Sequence, residues 1–325
     1  MDKKYFKKIL GKIAGKKIVV IGDVMLDKYI FGFTRRMAPE AKVPIVDAES
    51  ESYILGGAAN VANNLAELGC KVFLVGMLGK DEAGNKLKDL AEDRKIKLEV
   101  EEIDTHPTTL KTRIFTAGKY ILRVDNESRD LISKDAEKKT IETLNRLIPS
   151  CNALVISDYS KGFITPNLSQ STIKTAHKYS KKIVVDPKDN FLLYKRASLM
   201  KPNVFALKKF AAMGIRNNED LKLAANKLLK KLSLEALLVT EAEKGMTLFQ
   251  KNDKPFHVDS LAKNVVDVTG AGDSVLAALA ACLAAGASYP AAAKLANLAG
   301  AIKVGKASTS VVSKKELEFN LNLLT

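Results

Sequence analysis

The chain has 325 residues, of which 46% are hydrophobic and 27% charged, so it has an ordinary globular composition and enough length for one large α/β domain or two smaller ones. Its net charge is +15, but the lysines are scattered over predicted helices, no block of five like charges occurs and Trp is absent, which disfavours a nucleic-acid partner. The three cysteines and three histidines are isolated, which disfavours a disulfide framework, a Cys/His metal site and a Ser/His triad.

Targeting signals are also missing from the sequence pattern. The basic N-terminal stretch lacks the apolar core of a signal peptide, and the apolar run 275–285 is too short to span a bilayer. We therefore expect a cytoplasmic protein without a membrane partner.

The predicted elements alternate between helices and buried strands. A helix over 3–13 precedes a continuous apolar run at 17–22, which is typical of a buried parallel strand, and a strand at 71–76 leads to a helix over 81–94. The alternation resumes at residue 153, with strands predicted at 153–157, 182–185, 198–200, 236–239, 246–250 and 255–258 and helices at 166–179, 219–232, 274–285 and 290–304. This pattern predicts an α/β fold: a doubly wound, mostly parallel central sheet flanked by helices, in a single domain over 1–325.

Two segments depart from that alternation. Residues 28–50 contain short strand-like pieces, and the alternating runs 109–116 and 119–125, separated by Ala-Gly, indicate a hairpin. We expect them to build a small β lid from segments near 28–50 and 108–125. Because a lid with exposed strand edges is a ready surface for pairing, we expect a homodimer formed through it.

Polar residues follow nearly every predicted strand, which places one long site along the carboxyl edge of the sheet. Asp23 and Asp27 follow the first strand and are placed to accept hydrogen bonds from sugar hydroxyls, although a polar strand-end turn would explain them as well. Gly56 and Gly57 allow a ligand close to the backbone, and Asn60 offers a donor and an acceptor to a hydroxyl; the alternative is a tight turn before a core helix.

Four arginines on or near the predicted lid are candidates for binding a phosphate carried by the substrate. They are Arg35, Arg36, Arg113 and Arg123. Each of them alone is more often a surface charge. Together they weakly favour a phosphorylated acceptor.

The segment 267–273 carries the strongest chemical signal. Two acidic residues, Asp267 and Asp273, flank a Thr-Gly-Ala-Gly turn that runs directly into an apolar helix. Free amides at a helix N-terminus bind phosphate, and a carboxylate beside them is suited to take a proton from a hydroxyl that attacks phosphorus. A helix cap would explain Asp273 but not Asp267 or the second glycine.

The pairing of the 56–60 motif with the 267–273 motif resembles the ribokinase-like (PfkB) carbohydrate kinases over essentially the whole chain. Within that family, further stretches are similar to the heptose-7-phosphate kinases of lipopolysaccharide-core synthesis. They are residues 22–27, 39–44, 157–162, 186–188 and 238–247. The implied reaction transfers the ATP γ-phosphate to the anomeric hydroxyl of D-glycero-β-D-manno-heptose 7-phosphate and gives the 1,7-bisphosphate.

The resemblance also implies roles for individual residues. Asp273 is the base, and the backbone of Gly270, Ala271 and Gly272 forms the anion hole. The sugar side comprises Asp23, Asp27, Gly56, Gly57, Asn60, Arg113, Arg123, Asp158 and Lys161. The nucleotide side comprises Asn203, Thr240, Glu241, Gly245 and Asn297. Mg²⁺ would bridge the ATP phosphates, and the turns around Asp267, Thr269 and 305–308 would hold a monovalent cation such as K⁺.

The sequence departs from the family pattern in two places. A Glu usually follows the strand-end Asn by three residues, whereas Ala206 stands at that position after Asn203. Some relatives carry a C-terminal nucleotidyltransferase with a His-x-Gly-His motif, which this sequence lacks, so we expect that activity on a separate protein or in a separate part of a longer one. Two alternatives therefore stay open: a kinase for ribose, fructose or a hexose phosphate, and a non-catalytic sugar- or nucleotide-binding protein on the same fold.

Overall fold

The computed structural model describes residues 2–251, 253–306 and 310–324. The strands are β1 (Lys17–Gly22), β2 (Val24–Met37), β3 (Pro44–Gly57), β4 (Lys71–Gly79), β5 (Lys97–Ile103), β6 (Thr109–Thr116), β7 (Lys119–Asn126), β8 (Ala153–Asp158), β9 (Lys182–Pro187), β10 (Leu199–Met200), β11 (Ala236–Thr240), β12 (Met246–Gln250) and β13 (Phe256–Val258). The helices are α1 (Lys3–Ile13), α2 (Ala58–Glu67), α3 (Glu82–Asp93), α4 (Lys134–Leu147), α5 (Pro166–Lys178), α6 (Val204–Ala211), α7 (Asn218–Leu232), α8 (Ala271–Ala284), α9 (Tyr289–Val304) and α10 (Lys314–Phe319).

The larger sheet is mostly parallel, as the apolar runs predict. Among the described residues its strand order is β13-β12-β11-β10-β9-β8-β1-β4-β5, and only the pairings of β12 with β11 and β13 are antiparallel. The central strand β1 is buried along most of its length because both of its faces are covered by helices. The predicted doubly wound fold is therefore confirmed.

The two faces of this sheet carry separate hydrophobic cores. Helices α1, α2, α8 and α9 pack on one face, where the Ala-rich α8 buries nearly all of its length between α2 and α9. Helices α4, α5 and α7 pack on the other. None of the helices within the described ranges combines the length and apolarity needed to cross a membrane.

The smaller sheet has the order β3-β2-β6-β7 and contains the segments predicted as a lid. Strands β2 and β3 are antiparallel and have 14 residues each, so they are far longer than the short pieces expected there. Their polar, mostly exposed outer halves carry no apolar run, which is why the sequence pattern missed them. The predicted hairpin is confirmed as the antiparallel pair β6 and β7.

Strand β5 was not predicted. Its sequence, KLEVEEI, alternates charged and apolar residues, yet it pairs in parallel with β4 at the edge of the large sheet. An edge strand with one polar face does not need the continuous apolar run that marks the central strands.

Candidate active site

A cleft of about 1160 Å³ runs along the carboxyl edge of the large sheet. Its wall includes residues that follow β8, β9, β10 and β11, and it reaches the first turn of α8. All five residues predicted for the nucleotide side line this cleft, namely Asn203, Thr240, Glu241, Gly245 and Asn297. The strand-end pattern therefore identified the wall of a real cavity of ligand-binding size.

The first turn of α8 presents amides to the cleft. Gly270 has φ +77° and begins the helix in the left-handed region, which glycine adopts without strain. The Ala271 amide donates to the carbonyl of Val268, whereas the amides of Gly272 and Asp273 have no backbone acceptor within the described residues. Gly272 is exposed and lines the cleft, so an anion can approach these donors.

Asp273 lies directly beside those amides and is 6% exposed. One carboxylate oxygen, Oδ1, accepts a hydrogen bond of 2.7 Å from the Tyr159 hydroxyl, and Oδ2 accepts one of 2.7 Å from Asn60 Nδ2. Burial raises the pKa of Asp273 to about 6, although both hydrogen bonds act to lower it. Tyr159 itself lines the cleft, so the carboxylate lies one side chain away from open space.

Asn60 is bonded to other side chains of the protein. Its amide nitrogen donates to Asp273, and its Oδ1 accepts from Asn64 Nδ2 at 3.2 Å. Asn64 in turn accepts a hydrogen bond of 2.8 Å from the hydroxyl of Ser274. Asn60 thus orients the carboxylate of Asp273, and its contact with a sugar, through its remaining N–H and lone pair, stays a prediction.

A buried ion pair lies next to the helix turn. Lys201 is 4% exposed, and its Nζ lies 2.7 Å from Oδ2 of Asp186. A Cβ added to Gly272 would lie 3.6 Å from the same Nζ, so the ammonium flanks the anion hole. Burial raises the pKa of Asp186, and Lys201 acts in the opposite direction. Residue roles were assigned from motifs, and none was assigned to Lys201, Asp186 or Tyr159. Their positions at the carboxyl ends of β10, β9 and β8 were the available signal.

The carboxylate of Asp23 is hydrogen-bonded to the protein backbone. It is 3% exposed and accepts hydrogen bonds from the amides of Tyr159 at 2.7 Å, Lys161 at 3.2 Å and Phe163 at 3.4 Å. Burial and the charge of Asp158 raise its pKa to about 6. These bonds give Asp23 the strand-end structural role that was the alternative interpretation, and its assignment to the sugar side stays a prediction.

Asp158 lines the cleft, and its carboxylate is hydrogen-bonded to other protein groups. Its carboxylate accepts hydrogen bonds from the Tyr194 hydroxyl at 2.5 Å and from the Ser160 amide at 2.7 Å. Burial raises its pKa.

Asp27 lies on β2, within the smaller sheet. It is 4% exposed, and its Oδ1 lies 2.6 Å from Arg113 on β6. The Arg113 guanidinium also lies 5.4 Å from the ring centroid of Tyr29. The glycines at the end of β3 leave room for the carboxylate of Asp27. A Cβ on Gly56 would lie only 2.7 Å from Oδ2 of Asp27, and Gly57 has φ +54°.

The remaining predicted phosphate ligands differ in placement. Arg123 lies opposite Arg113 across β6 and β7, but its side chain is 47% exposed and pairs with Asp125. Arg35 and Arg36 are exposed in the outer part of β2. The structure therefore brings only Arg113 of these four against another predicted site residue.

Lys161 is held by a carboxylate. Its Nζ pairs with Oε1 of Glu127, which also pairs with Lys111. Burial acts to raise the pKa of Glu127, but the hydrogen bonds and charges of the two lysines outweigh it and lower that pKa to about 2. A substrate phosphate would have to compete with this carboxylate for Lys161.

The nucleotide wall contains several helix and strand termini. Asn203 caps α6, where its Oδ1 accepts from the Ala206 amide at 2.7 Å. Ala206 lines the cleft at the position where the family pattern has Glu. Asn297 donates to the carbonyl of Asp259 at 2.7 Å.

The expected monovalent-cation site is only partly within the described residues, because 307 and 308 lie outside them. Oδ1 of Asp267 accepts from the Thr269 amide at 2.8 Å. The carbonyl of Asp267 lies 3.4 Å from the Nζ of Lys303, whose side chain is completely buried. A cation already faces this carbonyl, so the described residues do not fit a second one. No cluster of three or more His, Cys, Asp or Glu suited to a metal occurs among the residues described.

Comparisons with known proteins agree with this geometry. The chain is 44% identical over 306 residues to bifunctional protein HldE of Histophilus somni and 39% identical over 319 residues to bifunctional protein HldE of Geotalea uraniireducens. These matches cover 93% and 98% of the chain but 63% and 65% of the relatives, so the chain spans about two thirds of their length or slightly less.

Solved structures share the fold. A ribokinase from Arabidopsis thaliana, complexed with ribose and ATP, has a TM-score of 0.75 at 22% identity, and phosphofructokinase-2 from Escherichia coli, in complex with potassium, has a TM-score of 0.79 at 18% identity. Each match covers 96% of this chain and 99% of the other.

The family model for pfkB family carbohydrate kinases matches residues 15–316, which include the cleft and the buried carboxylate of Asp273. The chain therefore belongs to the pfkB family of carbohydrate kinases.

Proposed function

We propose that the chain phosphorylates the anomeric hydroxyl of D-glycero-β-D-manno-heptose 7-phosphate with ATP, in the synthesis of an ADP-heptose precursor of lipopolysaccharide core. The observation that carries the kinase chemistry is the carboxylate of Asp273, held by Asn60 and Tyr159 beside the free amides of α8. The heptose acceptor is supported by the sequence stretches similar to heptose-7-phosphate kinases and by the 38–44% identity to proteins named bifunctional protein HldE.

The proposed reaction uses Asp273 as the base. With a pKa of about 6, its carboxylate is mostly ionised at neutral pH and accepts the proton of the anomeric hydroxyl. The sugar oxygen forms a bond to the γ-phosphorus while the bond from that phosphorus to the β-phosphate oxygen breaks, and ADP leaves. The amides of Gly272 and Asp273, with the ammonium of Lys201 beside them, stabilise the charge on the transferred phosphoryl group.

ATP would lie along the cleft, with its phosphates toward α8. Mg²⁺ would enter with ATP, since Mg²⁺ is usually bound by one or two carboxylates together with substrate phosphates. Asp186 lines the cleft and would bind the ion through Oδ1, since its Oδ2 is paired with Lys201 at 2.7 Å. When bound, the ion neutralises phosphate charge.

The acceptor phosphate is assigned to the lid side of the cleft. Arg113 is half-buried, bonded to Asp27 through one nitrogen, and retains further N–H donors. A forked guanidinium is well suited to a phosphate, and burial against Tyr29 strengthens the attraction by excluding water.

An acceptor panel tests this proposal. The purified chain is incubated with MgATP and the heptose 7-phosphate, ribose, fructose or fructose 6-phosphate, and ADP and the sugar product are measured. We expect the highest kcat/KM with heptose 7-phosphate and a 1,7-bisphosphate product. Turnover with free ribose alone would identify a different sugar kinase, and no turnover with any acceptor would identify a binding protein.

We also propose that two copies of the chain form a homodimer through the smaller sheet, β3-β2-β6-β7. All eight residues of β7 are exposed, and four apolar ones among them are at least 47% exposed, namely Tyr120, Ile121, Leu122 and Val124. A second copy would cover this apolar surface. Light scattering tests this proposal. We expect the wild-type chain to be a dimer and Leu122→Lys to be a monomer. A monomeric wild type at micromolar concentration would contradict the proposal.

A further inference from the structure

We propose that the ammonium of Lys303 acts as a built-in monovalent cation beneath the anion-hole loop, so that the enzyme needs no K⁺. The inference deepens the proposed kinase function and rests on it for its activity measurements. It concerns the loop from Asp267 to Gly270, which carries the first turn of α8.

The first observation is the position of Lys303. It is the longest polar side chain in the described residues that is 0% exposed, and it lies in the last turn of α9. Its Nζ lies 3.4 Å from the carbonyl oxygen of Asp267. Burying an ammonium in a protein is costly unless negative charge or oriented dipoles surround it.

The second observation is the set of charges and dipoles around that ammonium. Burial lowers the pKa of Lys303, and so does the nearby Lys306, whereas the charges of Asp267 and Asp273 raise it. The negative end of α9 lies within one turn, because the helix ends at Val304. The ammonium thus faces a carbonyl near the C-terminal end of α9 and feels the negative charge of two carboxylates, which are features that also attract a metal cation.

The third observation ties this position to the reaction. The carbonyl of Val304, next to Lys303, accepts the amides of Val266 at 2.7 Å and Asp267 at 3.2 Å. The side chain of Asp267 then accepts the Thr269 amide at 2.8 Å, and Gly270 begins α8. The end of α9 and its ammonium therefore set the path of the loop that presents the anion-hole amides.

A second cation on the same carbonyl would be repelled. Like charges repel strongly at such short range inside a protein, where water screens them little. An ammonium and K⁺ carry the same charge, so the lysine can supply the electrostatic effect of a bound ion without dissociating.

The test measures the response to K⁺. Wild type, Lys303→Met and Lys303→Ala are assayed in KCl and in choline chloride at equal ionic strength. We expect less than a twofold difference for wild type. For the variants we expect a roughly 10- to 100-fold loss of kcat in choline chloride, the loss typical of a removed charged contact, and at least a tenfold recovery in KCl. Lys294→Met, which removes another α9 lysine bonded to a carbonyl, is the matched control and should not respond to K⁺.

A thermal-unfolding measurement keeps the inference testable without turnover. We expect KCl to raise the melting temperature of Lys303→Ala above its value in choline chloride and to leave wild type unchanged. If no acceptor is phosphorylated, the proposed function fails while this measurement still reports on Lys303. K⁺ activation of wild type, or variants that ignore K⁺ in both measurements, would overturn the inference. If neither variant folds, the K⁺ response of wild type decides.

Discussion

The two ends of the sheet edge differ in how their polar side chains are used. At the proposed nucleotide end, Thr240, Glu241 and Gly245 line an open cleft of about 1160 Å³. At the proposed sugar end, Asp27 is bonded to Arg113, and Asn60 is bonded to Asp273. The nucleotide end is already a cavity, whereas the sugar end is a network of bonds between protein groups.

This difference predicts how the two substrates bind. A nucleotide can enter the cleft without breaking the hydrogen bonds of the sugar end. A sugar must share or replace bonds made by buried groups, which costs free energy unless its hydroxyls restore them. Substitutions at the sugar end should therefore change acceptor KM and kcat, while ATP KM stays within about twofold.

The largest effect is expected for Asp273→Asn. The amide can still accept from Asn60 and donate to Tyr159, but it cannot take a proton, so we expect kcat to fall by about 10²–10⁴. Steady-state kinetics with MgATP and the acceptor provide the measurement. Near-normal turnover would show that Asp273 is not the base.

Although Asp273→Asn should lower kcat, we expect it to raise the free energy of unfolding. Because folding raises the pKa of Asp273 from 3.8 to about 6, the folded state binds more protons in that window and loses stability as pH rises through it. Removing the charge should then stabilise the fold above pH 6, by at most about 3 kcal/mol at 1.36 kcal/mol per pKa unit. Unfolding curves at pH 8 check this gain, which also excludes misfolding as the cause of lost turnover.

A smaller loss is expected for Lys201→Met, at the junction of the two ends. Loss of a charged contact to the phosphoryl group should lower kcat roughly 10- to 100-fold. The double variant Lys201→Met/Asp186→Asn removes the unpaired carboxylate and should regain melting temperature. Because Asp186 is also proposed to bind Mg²⁺, the kcat of the double variant is compared with that of Asp186→Asn alone, and we expect it to remain roughly 10- to 100-fold lower. Lys182→Met, which breaks an exposed pair with Glu235 outside the cleft, is the control. Recovery of kcat in the double variant would assign Lys201 a structural role only.

For Arg113→Ala we expect acceptor KM to rise about tenfold or more. This variant removes a half-buried guanidinium from Asp27 and from the proposed phosphate site. Arg123→Ala should raise it less, since that side chain is 47% exposed and solvent screens its charge. Equal increases in the KM of ATP and acceptor would count against an acceptor-phosphate role.

The smallest effect is expected for Tyr159→Phe, and it is best seen in a pH profile. The Tyr159 hydrogen bond lowers the pKa of Asp273, so its removal should raise that pKa above about 6. Since the base must be ionised, the acidic limb of kcat/KM should move to higher pH, with kcat at pH 8 reduced only a few-fold. A profile that coincides with that of wild type would exclude this positioning role.

Much of the fold and part of the site could be predicted from the sequence. Continuous apolar runs marked the central strands, and the 267–273 motif identified the helix turn that carries Asp273. The polar residues after each strand correctly indicated the cleft wall, because parallel strands end at one edge.

The bonding partners could not be predicted in the same way. Nothing local in the sequence distinguishes an Asn60 that faces a sugar from one that orients Asp273, because the contact joins residues 213 apart. The same holds for Asp23, whose three amide donors come from the loop after β8. Donor and acceptor capacity is a property of residue type, whereas the partner is set by tertiary packing.

The hydrogen bond between Asn60 and Asp273 also bears on how the enzyme matures. During synthesis the sugar-end motif emerges long before its carboxylate partner, and closing so long a loop is slow. Turnover should accordingly be among the last properties to appear on refolding from urea, after helical circular dichroism has recovered.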